Sequence, residues 1–378
     1  MYSASWTSKP ISRRAFLRTC GQASLLGVSG IAGRAAFASE SVKESAESDS
    51  LGLAHLTGSD KTYGAAIRSE QIDDDDFVRA VKREVSLLVP ETELRWDVVH
   101  PAPDHFDFDG YDRIADFAHG NDLDMRGHAL IWHRGNPAWL ERTLAACSPE
   151  AAEKIMRTHI QTVLAQTNGD IQNWDVVNEA FDPRSTRSDF LRETVWLKVM
   201  GPDYIAKAYH MAYDVDSNLT LVYNDFGLEY DDADARTKRH AVLHFLITCR
   251  KQQIPVHAVG LQSHLQCHRP LGGHEFATFL KDVRRLGLNV YVTELDVDTS
   301  QLTGTIMERE SIAQQYVAAY LNLIEQQGAL DTVLTWGLSD RYTWMKQYGQ
   351  KGAGALPLDS NMKRGPLWDT LRTAWADS

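Results

Sequence analysis

A chain of 378 residues that is 43% hydrophobic and 24% charged carries enough apolar material for one large domain. It contains no run of 18 apolar residues, which excludes a membrane-spanning helix. Its formal charge of −12 argues against nucleic acid or an anionic membrane as partner, because phosphate binding needs clustered Lys and Arg.

The chain opens on Ser12-Arg13-Arg14-Ala15-Phe16-Leu17-Arg18, followed by a mildly apolar run over 23–36 and then Ala36-Phe37-Ala38. That order of charged, apolar and small residues predicts a twin-arginine export signal over 1–38, cleaved at an A-x-A site, and hence a periplasmic or secreted protein. Cys20 precedes the apolar run and is badly placed for lipid attachment. Residues 1–38 hold five basic side chains and no acidic one, so their removal takes −12 to −17. A neutral substrate suits such an acidic protein better than a polyanion does. Residues 39–60, rich in Ser, Glu and Lys, read as a linker too short to fold alone, and 61–378 as the catalytic domain. Cys147, Cys249 and Cys267 are scattered without metal-type spacing and read as buried small hydrophobes; no metal and no cofactor are expected. The acidic run 73–76 stands before a helical pattern, where negative charge is favourable; its residues are contiguous, unlike the alternating ligands of a calcium loop.

From Thr62 onward, eight short apolar runs alternate with helical patterns. The runs are 63–67, 86–90, 124–131, 171–178, 219–224, 258–263, 289–294 and 333–337; the helical segments are 77–85, 111–119, 151–166, 203–214, 236–252, 274–286 and 309–327. Eight such repeats predict a single α/β domain, a (β/α)8 TIM barrel. An open doubly wound sheet would carry a glycine-rich phosphate loop after its first strand, and Gly64-Ala65-Ala66 is too poor a match.

In such a barrel the active site lies where the strands end. The second run leads into Glu91-Thr92-Glu93-Leu94-Arg95-Trp96, the third carries His128, Trp132 and His133, and the fourth ends Asn178-Glu179. The fifth ends Asn224-Asp225, the sixth Gln262-Ser263-His264, the seventh Glu294-Leu295-Asp296, and the eighth gives Trp336 with Trp344 further on. Two carboxylates facing each other across the mouth, Glu179 and Glu294, are what double-displacement glycoside hydrolysis requires, at a separation of roughly 5 to 5.5 Å. Hydrogen bonds from the His264 and Asp296 neighbourhood would favour an ionised Glu294, and like-charge repulsion would keep the proton on Glu179.

The chain resembles family 10 glycoside hydrolases, the endo-1,4-beta-xylanase family, from about Tyr63 to Trp368. Four blocks carry the likeness: Gly127-His128-Ala129-Leu130-Ile131-Trp132-His133, Trp174-Asp175-Val176-Val177-Asn178-Glu179-Ala180, Gly260-Leu261-Gln262-Ser263-His264 and Thr293-Glu294-Leu295-Asp296-Val297. The resemblance implies a retaining enzyme with Glu179 as acid/base and Glu294 as nucleophile. It implies that Asn178 bonds the 2-hydroxyl of the cleaved sugar, that His264 orients Glu294, and that Asp296 holds that imidazole. Gln262, His128 and Trp132 would line the same subsite, with Trp336 and Trp344 as the wall under the sugar face. His133 is as much a brace as a ligand on this reading, and Asn224 belongs either to the rim or to the cap of the next loop. The implied partner is xylan or a related beta-glycan, met by a monomer.

The likeness has departures. Family members usually have Glu-Asn-x-Met-Lys-Trp after the second strand, where this chain keeps Glu91 but has Thr92 for the Asn and Arg95 for the Lys. Residues 346–354 and Pro366-Leu367-Trp368 also differ from the commoner ending. Arginine is wider and planar, so the exchange at Arg95 alters what the glycone side accepts. Another or decorated beta-glycan is therefore an alternative substrate. A binding barrel that no longer cleaves is a third reading, weakened by the presence of both glutamates.

Overall fold

The computed structural model describes residues 51–56, 61–348 and 354–376. The expected export segment, 1–38, and residues 39–50 and 57–60 of the expected linker lie outside them. Residues 51–56 depart from the linker expectation: Leu53–His55 form a 3-10 turn whose Leu53 is wholly buried. The Leu53 N–H donates to Glu84 Oε2 at 3.2 Å, a partner 31 positions away that composition has no means of showing.

Nine parallel strands follow: β1 Thr62–Ile67, β2 Leu87–Pro90, β3 Asp124–Gly127, β4 Ile171–Asn178, β5 Thr220–Asp225, β6 Ala258–Leu261, β7 His264–Gln266, β8 Asn289–Asp298 and β9 Thr332–Thr335. The strands pair in sequence from β1 to β6; β9 pairs with β1 and β8, and β6 with β8, so eight of them close on themselves. Closure leaves no edge strand among these eight, and it explains why their residues are apolar on both faces instead of alternating. Short β7 extends the sixth strand position and pairs with the far end of β8, setting His264 opposite Asp296. The fold is the predicted (β/α)8 barrel, and seven of its helices fall within three residues of the predicted segments.

The third strand is shorter than its apolar run suggested. It ends at Gly127, and the chain returns to the sheet when Leu130 and Ile131 N–H donate to the carbonyls of Asp175 and Val176. Gly127 is required there, because a Cβ would sit 2.3 Å from the buried Trp174 ring. Three short helices within the loops at the C-terminal mouth, Trp96–Val99, Ala138–Leu144 and Val195–Met200, have too few turns for a periodic signal.

The acidic run does more than complement a helix dipole. Asp74 caps the helix Asp75–Glu84 by accepting from Asp76 and Phe77 N–H at 3.0 and 3.3 Å, worth about 1 kcal/mol. Its other oxygen takes Arg341 and Tyr342, so the cap also ties the first helix to the loop after β9; these contacts hold its carboxyl at about 2. At the opposite end of the same helix Glu84 is fully buried, receiving Arg83 at 2.6 Å, Arg364 at 2.9 Å and the Trp368 indole at 2.8 Å. That cluster fastens Leu53, Arg364 and Trp368 to the barrel's N-terminal face, away from the strand ends that carry the site.

Candidate active site

The strand ends bring their side chains into one cleft of about 390 Å³, lined by Glu179, Glu294, Asn178, Gln262, His264 and His128 among others. Asn178 closes β4 and Glu179 turns away from it with a φ of 57°, a left-handed conformation that costs a non-glycine residue about 1 kcal/mol or more. Neighbours over-determine the turn. Glu179 N–H donates to the Asn224 carbonyl at 2.9 Å, and Arg192 Nε and Nη2 donate to the Glu179 and Phe181 carbonyls at 2.9 and 3.1 Å. Arg192 was not singled out from the sequence, because its work is done through backbone carbonyls.

A chain of amides joins the two glutamates. Asn224 Nδ2 donates to Glu294 Oε1 at 2.7 Å and to Asn178 Oδ1 at 3.0 Å, while Gln262 Nε2 donates to Asn178 Oδ1 at 3.1 Å and to Glu179 Oε1 at 3.2 Å. The Thr293 hydroxyl donates to Asn224 Oδ1 at 2.7 Å, which fixes that amide and, through it, Asn178. Turning the Asn178 amide over would give the Trp132 indole N–H an acceptor at 3.1 Å but would oppose amine to amine at Asn224. Asn178 Nδ2 therefore shares the cleft side with Trp132 N–H. Neither role left open for Asn224 is the one observed: it is wholly buried behind the rim and bonds Glu294. Gly260 leaves room for this amide, since a Cβ there would lie 2.1 Å from Asn224 Oδ1.

Glu179 is 7% exposed and its pKa is raised, first by burial and then by the Asp225 carboxylate, with Gln262 opposing and Glu294 adding less. Like-charge repulsion from the other catalytic candidate was the expected cause; the structure puts desolvation first, because β4 ends inside the barrel mouth. Lys238 pairs with Asp225 at 2.6 Å. His133 Nδ1 lies 3.7 Å from Glu179 Oε2 without a hydrogen-bond partner, and burial with the charges of Arg192, Arg134 and Lys238 pushes its pKa to about 3. His133 thus sits beside the carboxyl without bonding it.

Glu294, 4% exposed, accepts from His264 Nε2 at 3.2 Å, and His264 Nδ1 faces Asp296 Oδ1 at 2.9 Å, the relay expected from the motif. Burial alone would lower the His264 pKa, but Asp296 and Glu294 outweigh it and raise it well above the usual imidazole value. Asp296 lies behind the cleft, its second oxygen taken by the Trp344 indole N–H at 2.6 Å. Trp344 therefore lines the cleft and also holds Asp296. His128 Nδ1 meets Asp175 Oδ2 at 2.8 Å and Glu294 Oε1 at 3.7 Å, and Trp336 stands edge-on to its ring at 5.1 Å. His128, Asp175 and Glu294 bring ligand-type atoms within 4.8 Å of one another. Arg126 already grips both Asp175 oxygens, which accounts for that cluster without an ion.

On the remaining wall Glu91 accepts from Arg68 at 3.4 Å, and burial lifts its pKa to about 7 against that pull. Arg95 lines the cleft, but its guanidinium is forked onto Asp97 at 3.2 and 2.7 Å, so fewer of its donors face a sugar than the sequence suggested. Arg68, Arg134, Phe226 and Gln266 also line the cleft and were missed. Arg68 and Phe226 directly follow β1 and β5, so reading one residue further at every strand end would have found both.

A closed parallel barrel whose mouth presents two buried glutamates, one with a raised pKa and the other held by imidazole and amide donors, has the layout of a glycoside hydrolase. Its residues 52–374 match the glycosyl hydrolase family 10 model, and the chain belongs to that family. It is 28% identical over 302 residues to endo-1,4-beta-xylanase B of Thermotoga neapolitana, covering 79% of this chain and 83% of that protein. It is 30% identical over 322 residues to a beta-1,4-xylanase of Dictyoglomus thermophilum, covering 82% and 88%. Among solved structures, xylanase 10B of Thermotoga petrophila RKU-1 in complex with xylobiose superposes with a TM-score of 0.74 at 27% identity, covering 84% of this chain and 94% of that one.

Proposed function

We propose that this glycoside hydrolase is a retaining endo-1,4-beta-xylanase, with xylan as its polysaccharide substrate and Glu179 and Glu294 as its two catalytic groups. One observation carries the reading: both glutamates open into one cleft and are coupled through Asn178, Asn224 and Gln262. Glu179, whose carboxyl retains its proton to higher pH than an ordinary glutamate, donates it to the glycosidic oxygen as Glu294 attacks the anomeric carbon. The aglycone leaves as an alcohol and a glycosyl ester remains on Glu294. Glu179, now a carboxylate, takes a proton from water, whose oxygen displaces Glu294 from the same face that the leaving group occupied. Asn178 Nδ2 and the Trp132 N–H offer two donors to the oxygen of the 2-hydroxyl. Glu91, Arg95 and the rings of Trp336 and Trp344 hold the flanking sugars. The xylanase relatives and the xylobiose complex of a structural neighbour support the substrate class.

The decisive test is the configuration of the first product. Proton NMR during hydrolysis of xylohexaose should show the β-anomer appearing before mutarotation, and Glu294→Ala should abolish turnover. Initial release of the α-anomer rejects the mechanism, and an active Glu294→Ala enzyme rejects the assignment. Export through the leader containing Arg13 and Arg14, and action as a monomer, belong to the same reading; N-terminal sequencing of the exported protein and sedimentation check them.

A decorated xylan is a second reading, favoured by Thr92 beside Arg68 and Arg95 where a neutral sugar needs fewer cations.

A further inference from the structure

On a molecule of net charge −12 the cleft lining carries as many guanidinium groups as carboxylates, the latter being Glu91, Glu179 and Glu294. Three guanidinium groups line it, those of Arg68, Arg95 and Arg134. Two are already engaged: Arg68 by Glu70 at 2.7 Å and Glu91 at 3.4 Å, Arg95 by Asp97. Arg134 is exposed, and among the described residues no carboxylate lies within ion-pairing distance of it.

Its place on the wall is set by the chain on either side. The Asp97 N–H donates to the Gly135 carbonyl at 2.7 Å, pinning this loop to the Arg95–Asp97 pair. Gly135 has a φ of 67°, and a Cβ on it would come within 3.0 Å of Arg95 Nε and 3.1 Å of Asp97 Oδ1. Glycine suits this left-handed position and close approach, and the next residue back, Arg134, lies on the cleft wall. His133, the residue before it, meets Glu179.

A xylan backbone presents only hydroxyl and ether oxygens, which gain little from a solvated guanidinium. A carboxylate gains more, because it accepts two parallel N–H bonds in the geometry arginine offers, and among the described residues Arg134 has no carboxylate of this chain beside it. We propose that Arg134 determines specificity for an acidic side group, so that the preferred substrate is a xylan carrying uronic acid branches. This rests on the xylanase reading above and narrows its decorated-substrate form.

The experiment compares kcat/KM for a uronic-acid-branched xylo-oligosaccharide with that for the same compound after reduction of its carboxyl group to an alcohol, with undecorated xylotetraose alongside. The acidic form should be favoured roughly tenfold by the wild type, the value of one hydrogen-bonded charge pair. The preference should shrink as salt is raised, fall close to unity in Arg134→Gln, and partly return in Arg134→Lys. A wild-type ratio near one, or an undiminished ratio in Arg134→Gln, overturns the proposal. No hydrolysis of xylotetraose or of either branched compound would overturn the xylanase reading itself, and this inference with it.

Discussion

Asn224→Ala isolates the contact that the sequence left open. Asn224 Nδ2 lies 2.7 Å from Glu294 Oε1 and 3.0 Å from Asn178 Oδ1, and the side chain is wholly buried. Truncation removes a hydrogen bond to the group that attacks as an anion on the proposed mechanism, worth about 1.5 to 3 kcal/mol, and it frees the Asn178 amide at the cleft. Since each 1.4 kcal/mol is about tenfold in rate, kcat on an aryl β-xylobioside should fall roughly 10- to 100-fold. KM should change less, because Asn224 lies behind Glu294 and Asn178 and does not line the cleft. Asn224→Asp sets an oxygen against the Glu294 oxygen and should be worse than the alanine variant, although its shape is conserved. Thermal unfolding of both variants separates lost catalysis from lost folding. A folded Asn224→Ala enzyme with kcat within threefold of wild type refutes the argument that this amide positions the nucleophile.

Gln262→Leu removes a donor that favours the charged form of Glu179, so the raised pKa of that carboxyl should rise further. On the proposed mechanism a protonated Glu179 is the active form in the first step, so activity is lost as pH rises through its pKa. The alkaline limb of the kcat/KM profile should therefore move to higher pH in the variant, and a limb that stays put or moves down contradicts the assignment. At the other end of the barrel, Arg364→Ala leaves Glu84 buried with fewer donors, since its 2.9 Å partner is lost while Arg83 and Trp368 remain. Losing one charged hydrogen-bond donor from a buried carboxylate that keeps its others costs about 1.5 to 3 kcal/mol. The melting temperature should drop by a few degrees, read by calorimetry, with kcat at low temperature unchanged. An unaltered melting temperature would show that the cluster does not hold these segments together.

The barrel was legible because its signals are local and repeated. Each apolar run is only a few residues long and is followed by a helical pattern, and eight repetitions leave little else to build. Most of the site was legible for the same reason, since a barrel assembles its mouth from the residues that end its strands. Glu179, Glu294, His264 and Gln262 stand at those ends. What escaped notice lies in loops or acts through backbone. Arg192 braces Glu179 by its carbonyl, Arg134 rides on the loop fixed by Gly135, and Leu53 is buried against Glu84 from within a stretch that composition assigns to a linker.

By itself the sequence determined the order of elements, the handful of polar residues at strand ends, and the family those residues belong to, because each depends on spacing along the chain. Only the tertiary structure decided the charge state and company of those residues. Burial, not the neighbouring glutamate, is the first cause of the raised Glu179 pKa. Asn224 is a buried partner of Glu294 and not a loop cap, and Arg95 turns two of its donors to Asp97. Solvent exclusion and hydrogen-bond partnership arise between segments tens of residues apart, and no local pattern in a chain encodes which distant donor reaches which acceptor.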